Sequence, residues 1–290
     1  MILLFINEFI NFYTLKLSSQ MYVDKNRGSD RIKVNIDIDI YNTPCDLLTI
    51  VTDNVFGDKT IELIGDINKS RLDKFGKIFQ QKKYEVIAPE YDEIKNEILN
   101  GEGCNLKGYF FLNAIPGHFQ ITSGYHAFII QDLAEDKVLK NNNKHKINQI
   151  SFGDINLENL RKKFGKEIET LTHTLTNIQR EVKNAKVYHY FLKIVPTKFI
   201  TYSGEKIDNY QYTYSSYPKY NLDEISSIDF RYDISSITLE YKQYKERFIN
   251  FFVHICAIIG GVFTIMGIIE SIIHKSVLVL LRKAQMNKLA

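Results

Sequence analysis

Few residues of this chain have side chains that bind metals, form covalent bonds or transfer protons, and those few are scattered. Cysteine occurs only as Cys45, Cys104 and Cys256. Cys256 falls in a long apolar run, and the two remaining cysteines are too few for a cysteine-only zinc site. Two alternatives therefore remain for Cys45 and Cys104. They form one disulfide in an oxidising compartment, or they are two buried free thiols.

The 7 histidines do not follow a metal-ligand or catalytic spacing. His118 and His126 lie on either side of a predicted turn, and histidines there could make binding sensitive to pH. The chain contains no GxSxG, P-loop, GxGxxG or HExxH motif. Asp37 and Asp39 alternate along a strand pattern and lack the spacing of an EF-hand. We therefore expect no catalytic residue, no cofactor and no metal site.

Composition excludes two broad classes of protein. With 44% apolar and 13% aromatic residues, the chain can bury a core and is not a disordered protein. Its net charge is +3, with basic residues mixed among acidic ones, so no nucleic-acid-binding surface is expected. Asn68, in Asn-Lys-Ser, is an N-glycosylation acceptor if this part of the chain enters the secretory pathway.

Strand patterns dominate the region between the two apolar ends. Residues 31–40 alternate strictly between apolar and polar, as in a half-buried strand. Aromatic and β-branched runs predict further strands at 104–132, 187–220 and 230–244. Residues 66–103 are more polar and are predicted to be partly helical, with one helix beginning at Pro89. Leu171, Leu175 and Ile178 follow helical spacing.

Both ends of the chain are apolar. Residues 248–269 contain no Asp, Glu, Lys or Arg, and a helix of this length spans roughly the 30 Å hydrocarbon core of a bilayer. Ala257, Gly260 and Gly261 give this helix a small-residue surface that could admit a partner helix. Residues 1–17 are shorter and contain Asn7 and Glu8. They are interpreted as the end of a truncated first transmembrane helix, the alternative being an amphipathic N-terminal helix.

Four ordered blocks resemble the ER–Golgi intermediate compartment (ERGIC) family, whose members are cycling cargo receptors of COPII vesicles. The first is CNLKGYFFLNAIPGHFQITSG, and its matching positions are Cys104, Gly108, Asn113, Gly117, Phe119, Ile121 and Gly124. The others are HKINQISFG, YHYFLKIVPT, and YDISSITLEY followed by CAIIGGVF. One family branch carries a cysteine-rich insertion that this chain lacks, so the chain looks more like the cysteine-poor branch, or like a diverged single form. Ser236 replaces a proline of the family pattern.

The resemblance implies a mainly β fold. An antiparallel, sandwich-like lumenal domain with a few helices would lie between two transmembrane helices, the first of them truncated. The implied bounds are 1–17 for the partial first helix, 18–247 for the lumenal domain, 248–273 for the second helix and 274–290 for a short basic tail. Both termini would be cytosolic, as the basic residues after the second helix favour. Lumenal placement favours the Cys45–Cys104 disulfide and makes Asn68 a usable acceptor.

The resemblance also implies a function without catalysis. The chain would be a subunit of a transport receptor in membranes of the endoplasmic reticulum, intermediate compartment and Golgi. Its expected partners are a related cysteine-rich subunit in a hetero-oligomer, lumenal cargo proteins, and COPII or COPI coats on the cytosolic tails. The alternative is a membrane-tethered lumenal glycan-binding sandwich or an enzyme, because tyrosine-rich strands can stack sugars.

Overall fold

The computed structural model describes residues 2–23, 31–54, 59–61, 63–86, 90–135, 142–153, 157–164, 175–183, 187–220 and 225–286. The chain divides into two compact units. The first unit comprises Met1–Ser19, Ile200–Glu205 and Tyr241–Ala290. The second comprises Gln20–Phe199 and Lys206–Glu240.

Strands and helices are numbered in chain order within these ranges. The helices are α1 Ile2–Tyr13, α2 Tyr91–Leu99, α3 Ala127–Glu135, α4 Leu157–Phe164 and α5 Phe248–Met286. The strands are β1 Lys16–Val23, β2 Arg31–Ile40, β3 Thr49–Asn54, β4 Lys59–Thr60, β5 Gly65–Leu72, β6 Ile78–Lys83, β7 Gly103–Asn113, β8 Gly117–Thr122, β9 Asn142–Phe152, β10 Thr176–Lys183, β11 Val187–Ile200, β12 Lys206–Lys219, β13 Ser227–Ile234 and β14 Ile237–Tyr244. Short 3-10 turns occupy Cys45–Leu47 and Gly124–His126.

Two sheets account for these strands. The six-stranded sheet has the order β10-β9-β2-β7-β5-β6. The eight-stranded sheet has the order β1-β14-β11-β13-β8-β3-β4, and β12 pairs with β11. Strands β11 and β13 run parallel, with Val187 to Ile194 opposite Ser227 to Ile234, whereas β2 is antiparallel to both of its neighbours, β7 and β9. The predicted mainly β fold with antiparallel sheets and few helices is confirmed.

The core lies between the inward faces of the two sheets. In β2 every second residue from Ile32 to Ile40 is buried, as the alternation predicts. Across the core, the ring of Phe110 on β7 lies 5.3 Å from that of Phe119 on β8. Phe119 in turn stacks on Phe230 of β13 at 4.7 Å. This burial removes large apolar areas from water and is the main stabilising contribution to the fold.

A buried polar contact between two side chains crosses the core. His145 of β9 and Tyr190 of β11 are both fully buried, and the His145 Nε2 lies 2.7 Å from the Tyr190 hydroxyl. Burial raises the pKa of Tyr190, so this hydroxyl stays neutral and can form a hydrogen bond. The contact joins the six-stranded sheet to the eight-stranded sheet with a specific geometry.

The polar region 66–103 is partly helical, as predicted, and strands β5 and β6 occupy much of the rest of it. Two local predictions are wrong. Residues 127–135 form α3, although this apolar run was included among the strands. Ile178 lies in β10, against the helical spacing, and Leu171 falls outside the described residues. The helix predicted after Pro89 is confirmed as α2, whose Ile94 and Ile98 pack with Leu47 and Leu133 in a second, smaller core.

The apolar ends are helical. The segment predicted over 1–17 is helical from Ile2 to Tyr13, and Lys16 already begins β1. At the other end, α5 continues unbroken beyond the expected boundary at residue 273, to Met286. Within the described part of the chain, Phe248–Leu280 is the one helix whose length and composition suit a membrane span. This helix has 33 residues, and its most apolar 18-residue stretch has no buried residue.

Candidate functional site

Cys45 and Cys104 form a disulfide in the structure, with their Cα atoms 4.9 Å apart. Cys45 opens the 3-10 turn that follows β2, and Cys104 lies in β7 opposite Ile40. The bond therefore fastens the end of the β2–β7 pair to the turn before β3. Cys256 is a free thiol on α5.

Asn68 lies on β5 and faces outward from the six-stranded sheet. Its strand partners are Lys107 on β7 and Lys83 on β6. Asn68 is half-buried, whereas Ser70 of the same sequon is only 5% exposed. Glycosylation of Asn68 stays a prediction, and this placement implies that a glycan would be attached before β5 pairs.

Ala257, Gly260 and Gly261 all lie exposed on α5. A Cβ added at either glycine would meet no atom within 4 Å, so this surface is open. The Thr264 hydroxyl donates to the carbonyl oxygens of Gly260, at 3.0 Å, and Gly261, at 2.8 Å. These bonds satisfy the hydroxyl within the helix, which suits an apolar environment. The role of the three residues in helix pairing stays a prediction.

Within the first unit, α1 packs against α5. The rings of Phe12 and Phe251 lie 4.5 Å apart. Glu8 Oε1 lies 2.8 Å from His254 Nδ1, so the one acidic residue of α1 is paired with a residue of α5. Just after α1, at the first residue of β1, Lys16 Nζ forms an ion pair with Glu246 Oε2 at 2.8 Å. Together these contacts hold the short helix along the start of the long one.

The two histidines singled out from the sequence have different surroundings. His118, on β8, places its Nε2 3.8 Å from Asp53 Oδ2. His126 ends the 3-10 turn, where burial and then the charge of Lys69 lower its pKa. Its Nε2 has no hydrogen-bond partner among the described residues. Neither histidine belongs to a group of acidic, cysteine and histidine residues that could hold a metal within the described ranges.

A groove of about 660 Å³ lies on the outward face of the eight-stranded sheet in the second unit. Its floor comes from residues of β8, β11 and β13 that point away from the core, because their neighbours Phe119, Tyr190 and Phe230 point inward. Cross-strand pairing brings these residues side by side, with Asp229 opposite Gln120 and His189, and Arg231 opposite His118.

Asp229 is the centre of this groove. Its Oδ2 accepts a hydrogen bond from His189 Nδ1 at 2.8 Å and another from Arg231 Nε at 3.1 Å. His189 is in turn covered by the ring of Tyr217 at 5.1 Å. Asp229 is only 5% exposed, and its Oδ1 has no hydrogen-bond partner in the described part of the chain. A buried carboxylate oxygen without a donor is costly, and the bonds from His189 and Arg231 offset part of this cost.

The sequence interpretation missed Asp229, His189 and Arg231. Their signal is the alternation in β13, where inward Ile228, Phe230 and Tyr232 force the intervening polar residues outward. The pattern says which face these residues occupy. It does not say that β11 and β8 lie on either side of β13, which depends on long-range pairing.

A different polar arrangement covers the outward face of the six-stranded sheet. Asn105 Nδ2 donates to Asp37 Oδ1 at 2.8 Å and to Asp39 Oδ1 at 2.6 Å. Asn148 Nδ2 donates to the same two carboxylates, at 3.1 and 2.9 Å. Lys107 completes this network through an ion pair with Asp37 at 2.9 Å. The network satisfies its own charges and offers little for a ligand.

With this geometry in view, comparison with known proteins decides the family. The sequence model of the family described as "Endoplasmic reticulum vesicle transporter" matches residues 70–270, which is more than half of the chain. The chain belongs to this family. A second model, described as "Endoplasmic Reticulum-Golgi Intermediate Compartment (ERGIC)", matches residues 1–61. The resemblance deduced from the four sequence blocks is thereby confirmed.

Two relatives illustrate the membership. Endoplasmic reticulum-Golgi intermediate compartment protein 1 of Danio rerio is 30% identical over 281 residues, covering 94% of this chain and 82% of the relative. Protein 2 of the same compartment, also from Danio rerio, is 26% identical over 198 residues, covering 64% of this chain and 48% of the relative. Both are named for the ER–Golgi intermediate compartment, and the matching family is described as one of vesicle transporters.

A solved structure supports the fold of this vesicle transporter family member. The crystal structure of Erv41p is similar with a TM-score of 0.54 and 21% identity, covering 77% of this chain and 99% of that one. At this identity the likeness concerns the fold, and it supports the mainly β assignment.

Proposed function

We propose that this chain is a subunit of a cycling transport receptor that binds lumenal cargo for vesicle transport between the endoplasmic reticulum and the Golgi. The observation that carries the proposal is the family match over residues 70–270, which includes most of the second unit and the first part of α5. A transport receptor requires a folded binding domain and a membrane anchor. The second unit and α5 are suited to these two tasks.

The proposed topology places the second unit in the lumen. A disulfide between Cys45 and Cys104 suits that oxidising compartment. Basic residues after the apolar span, Lys275 first among them, favour a cytosolic C-terminus. With α1 as part of a first transmembrane helix, the protein would be multi-pass, with both termini cytosolic and available to COPII or COPI coats. The proposed location is the membrane of the endoplasmic reticulum, intermediate compartment and Golgi.

Affinity purification of the tagged full chain from mild detergent tests this function. We expect a related, cysteine-rich family subunit and a set of lumenal proteins to co-purify, and the tagged chain to enter COPII vesicles formed from isolated membranes. A chain that stays out of these vesicles and recovers neither class of protein would contradict the proposal. In the same material, Cys45 and Cys104 should resist alkylation until a reductant is added.

Ala257 and Gly261 are the proposed contact surface for the partner subunit's helix. Leucine at both positions fills the open surface, so recovery of the partner should fall several-fold. Phe263→Leu is the control. Successive residues are rotated by about 100° around a helix axis, so this leucine lies on a different side of α5 from Ala257 and Gly261. Equal recovery from the double variant and the control would remove the pairing surface and leave the cargo proposal intact.

A further inference from the structure

A second cavity adjoins the groove. Its volume is about 680 Å³, and it shares Lys59, Ile61 and Tyr125 with the groove. The two cavities therefore form one elongated depression, which we call the trough. All of its lining residues belong to the second unit. An elongated shape suits a chain-like ligand better than a compact one.

The two ends of the trough differ in chemistry. The groove end, around Asp229, is lined by the cationic residues Lys59, Lys219 and Arg231. Asp229 is the one carboxylate among the described residues that line this end, and it already contacts Arg231 and His189. The exposed Lys59 and the half-exposed side chain of Arg231 give the groove end cationic groups that complement an anionic group.

The other end is mainly apolar. Leu63, Tyr84 and Val86 line it, together with the shared Ile61. Val86 is 37% exposed and Tyr125, at the junction, is 52% exposed, so apolar surface is available for a ligand side chain. Glu85 also lines this end and would repel an acidic group there. The placement of charge therefore orients an amphipathic ligand along the trough.

The floor of the groove end can bond a ligand backbone. Gln120, directly opposite Asp229 on β8, carries both a donor and an acceptor amide group. Peptide groups present both donors and acceptors at regular intervals, as such a floor requires.

We propose that the trough binds an extended peptide segment that carries an apolar side chain next to an acidic one. The apolar side chain occupies the end lined by Leu63 and Val86, and the acidic side chain lies between Lys59 and Arg231. The inference rests on the proposed function in one respect, since the segment would belong to a lumenal cargo protein.

The test uses the full chain in lipid nanodiscs and fluorescent ten-residue Gly-Ser peptides. Each peptide carries one Leu and one Glu, separated by zero to three residues, and binding is followed by fluorescence anisotropy. We expect saturable binding for at least one spacing. Replacing Glu by Lys, or Leu by Ser, should weaken that binding at least tenfold. Uniform binding of all peptides, or none, would overturn the inference, as would preferred binding of a neutral oligosaccharide such as maltotriose.

Charge exchange identifies the contact. Lys59 is exposed, so Lys59→Glu leaves the core unchanged but should weaken binding of the Leu-Glu peptide at least tenfold and improve binding of its Leu-Lys counterpart. Lys77→Glu is the matched control, an exposed lysine on the loop before β6 that does not line the trough. Tyr125→Ala gives a second variant, in which both peptides should bind more weakly.

The same variants separate this inference from the proposed function. If Lys59→Glu enters vesicles with its partner but loses a subset of cargo, both proposals are supported. If it enters vesicles and retains all cargo, the trough inference is wrong and the transport proposal stands.

Discussion

The outward faces of the two sheets differ in how completely their carboxylates are hydrogen-bonded. On the six-stranded sheet, Asp37 and Asp39 receive hydrogen bonds from Asn105 and Asn148, and Lys107 adds an ion pair with Asp37. On the eight-stranded sheet, one oxygen of Asp229 accepts bonds from two partners, and the other has no donor among the described residues.

The difference indicates which face is structural and which is available for binding. Asn105 Oδ1 also lacks a partner within the described residues, but it is a neutral amide oxygen and costs less to bury than a carboxylate oxygen. The exposed residues Lys59 and Arg231 line the groove on the eight-stranded face. We therefore assign stability to the six-stranded face and recognition to the trough.

The largest test of this contrast compares one glycine from each face. Gly108 on β7 has φ +150°, and a Cβ there would collide with the Asp66 carbonyl oxygen and lie 2.8 Å from the Ile67 Cα. Because neighbouring backbone cannot move cheaply, Gly108→Ala should cost about 4 kcal/mol or prevent folding. Chemical unfolding of the detergent-solubilised chain, followed by circular dichroism, measures the loss.

Gly124, which lines the groove, is the matched position. A Cβ there would lie 3.2 Å from Thr122 Oγ1 and 3.5 Å from Ile225 Cδ1, both of them side-chain atoms. Gly124→Ala should therefore cost only about 1 kcal/mol. Equal losses at Gly108 and Gly124 would show that the six-stranded sheet is no more tightly constrained than the groove.

Sequence patterns predicted those features that depend on local periodicity. The β2 alternation, the α2 helix and the apolar α5 each follow from residue spacing over one element. The strands β5 and β6 escaped prediction because their polar residues are stabilised by pairing with each other and with β7. Helix α3 was predicted as a strand because a short apolar run can form either a strand or a helix.

The trough could not be predicted for the same physical reason. Its floor combines β8, β11 and β13, and the parallel pairing of β11 with β13 is a long-range choice that no local pattern encodes. The sequence did single out His118, which lines the groove, but it connected this residue with His126 rather than with Asp229 and Arg231. Residue type alone identifies candidates, and sheet order decides which of them meet.

The next prediction concerns the self-satisfied network. Burial alone would raise the pKa of Asp37, but hydrogen bonds from Lys107, Asn105 and Asn148 outweigh it and lower that pKa. Asp37→Ala removes these bonds and should cost about 2 kcal/mol near neutral pH. Since a lowered carboxylate pKa stabilises the folded state above its usual value, the cost should shrink as the pH falls through the lowered pKa.

Asp233→Ala is the control on the other sheet. Asp233 is exposed on β13, so its loss should change the free energy of unfolding by no more than about 0.5 kcal/mol. Unfolding of both variants at pH 7 and pH 3 gives the comparison. An Asp37 cost that stays constant over this pH range would mean that the carboxylate charge does not stabilise the network.

Lys69 is the exception that limits the contrast, because it is a buried charge of the six-stranded sheet that forms no ion pair with a carboxylate among the described residues. It is 4% exposed, its Nζ donates to the Glu85 carbonyl oxygen at 3.2 Å, and it lies 4.8 Å from the centre of the Tyr84 ring. Burial lowers the pKa of Lys69 to about 8. Holding this lysine charged therefore opposes folding at neutral pH.

Lys69→Met should consequently stabilise the protein by about 2 kcal/mol at pH 7, since removal of the charge outweighs the lost hydrogen bond. Between about pH 8 and the ordinary lysine value of 10.5, the unfolded lysine binds more protons than the folded one. The natural chain should therefore gain stability as the pH rises through this window, and the methionine variant should lack that gain. Lys77→Met, at an exposed position, should leave both values unchanged. A loss of stability in Lys69→Met would show that the lysine contributes more through its carbonyl and ring contacts than its buried charge costs.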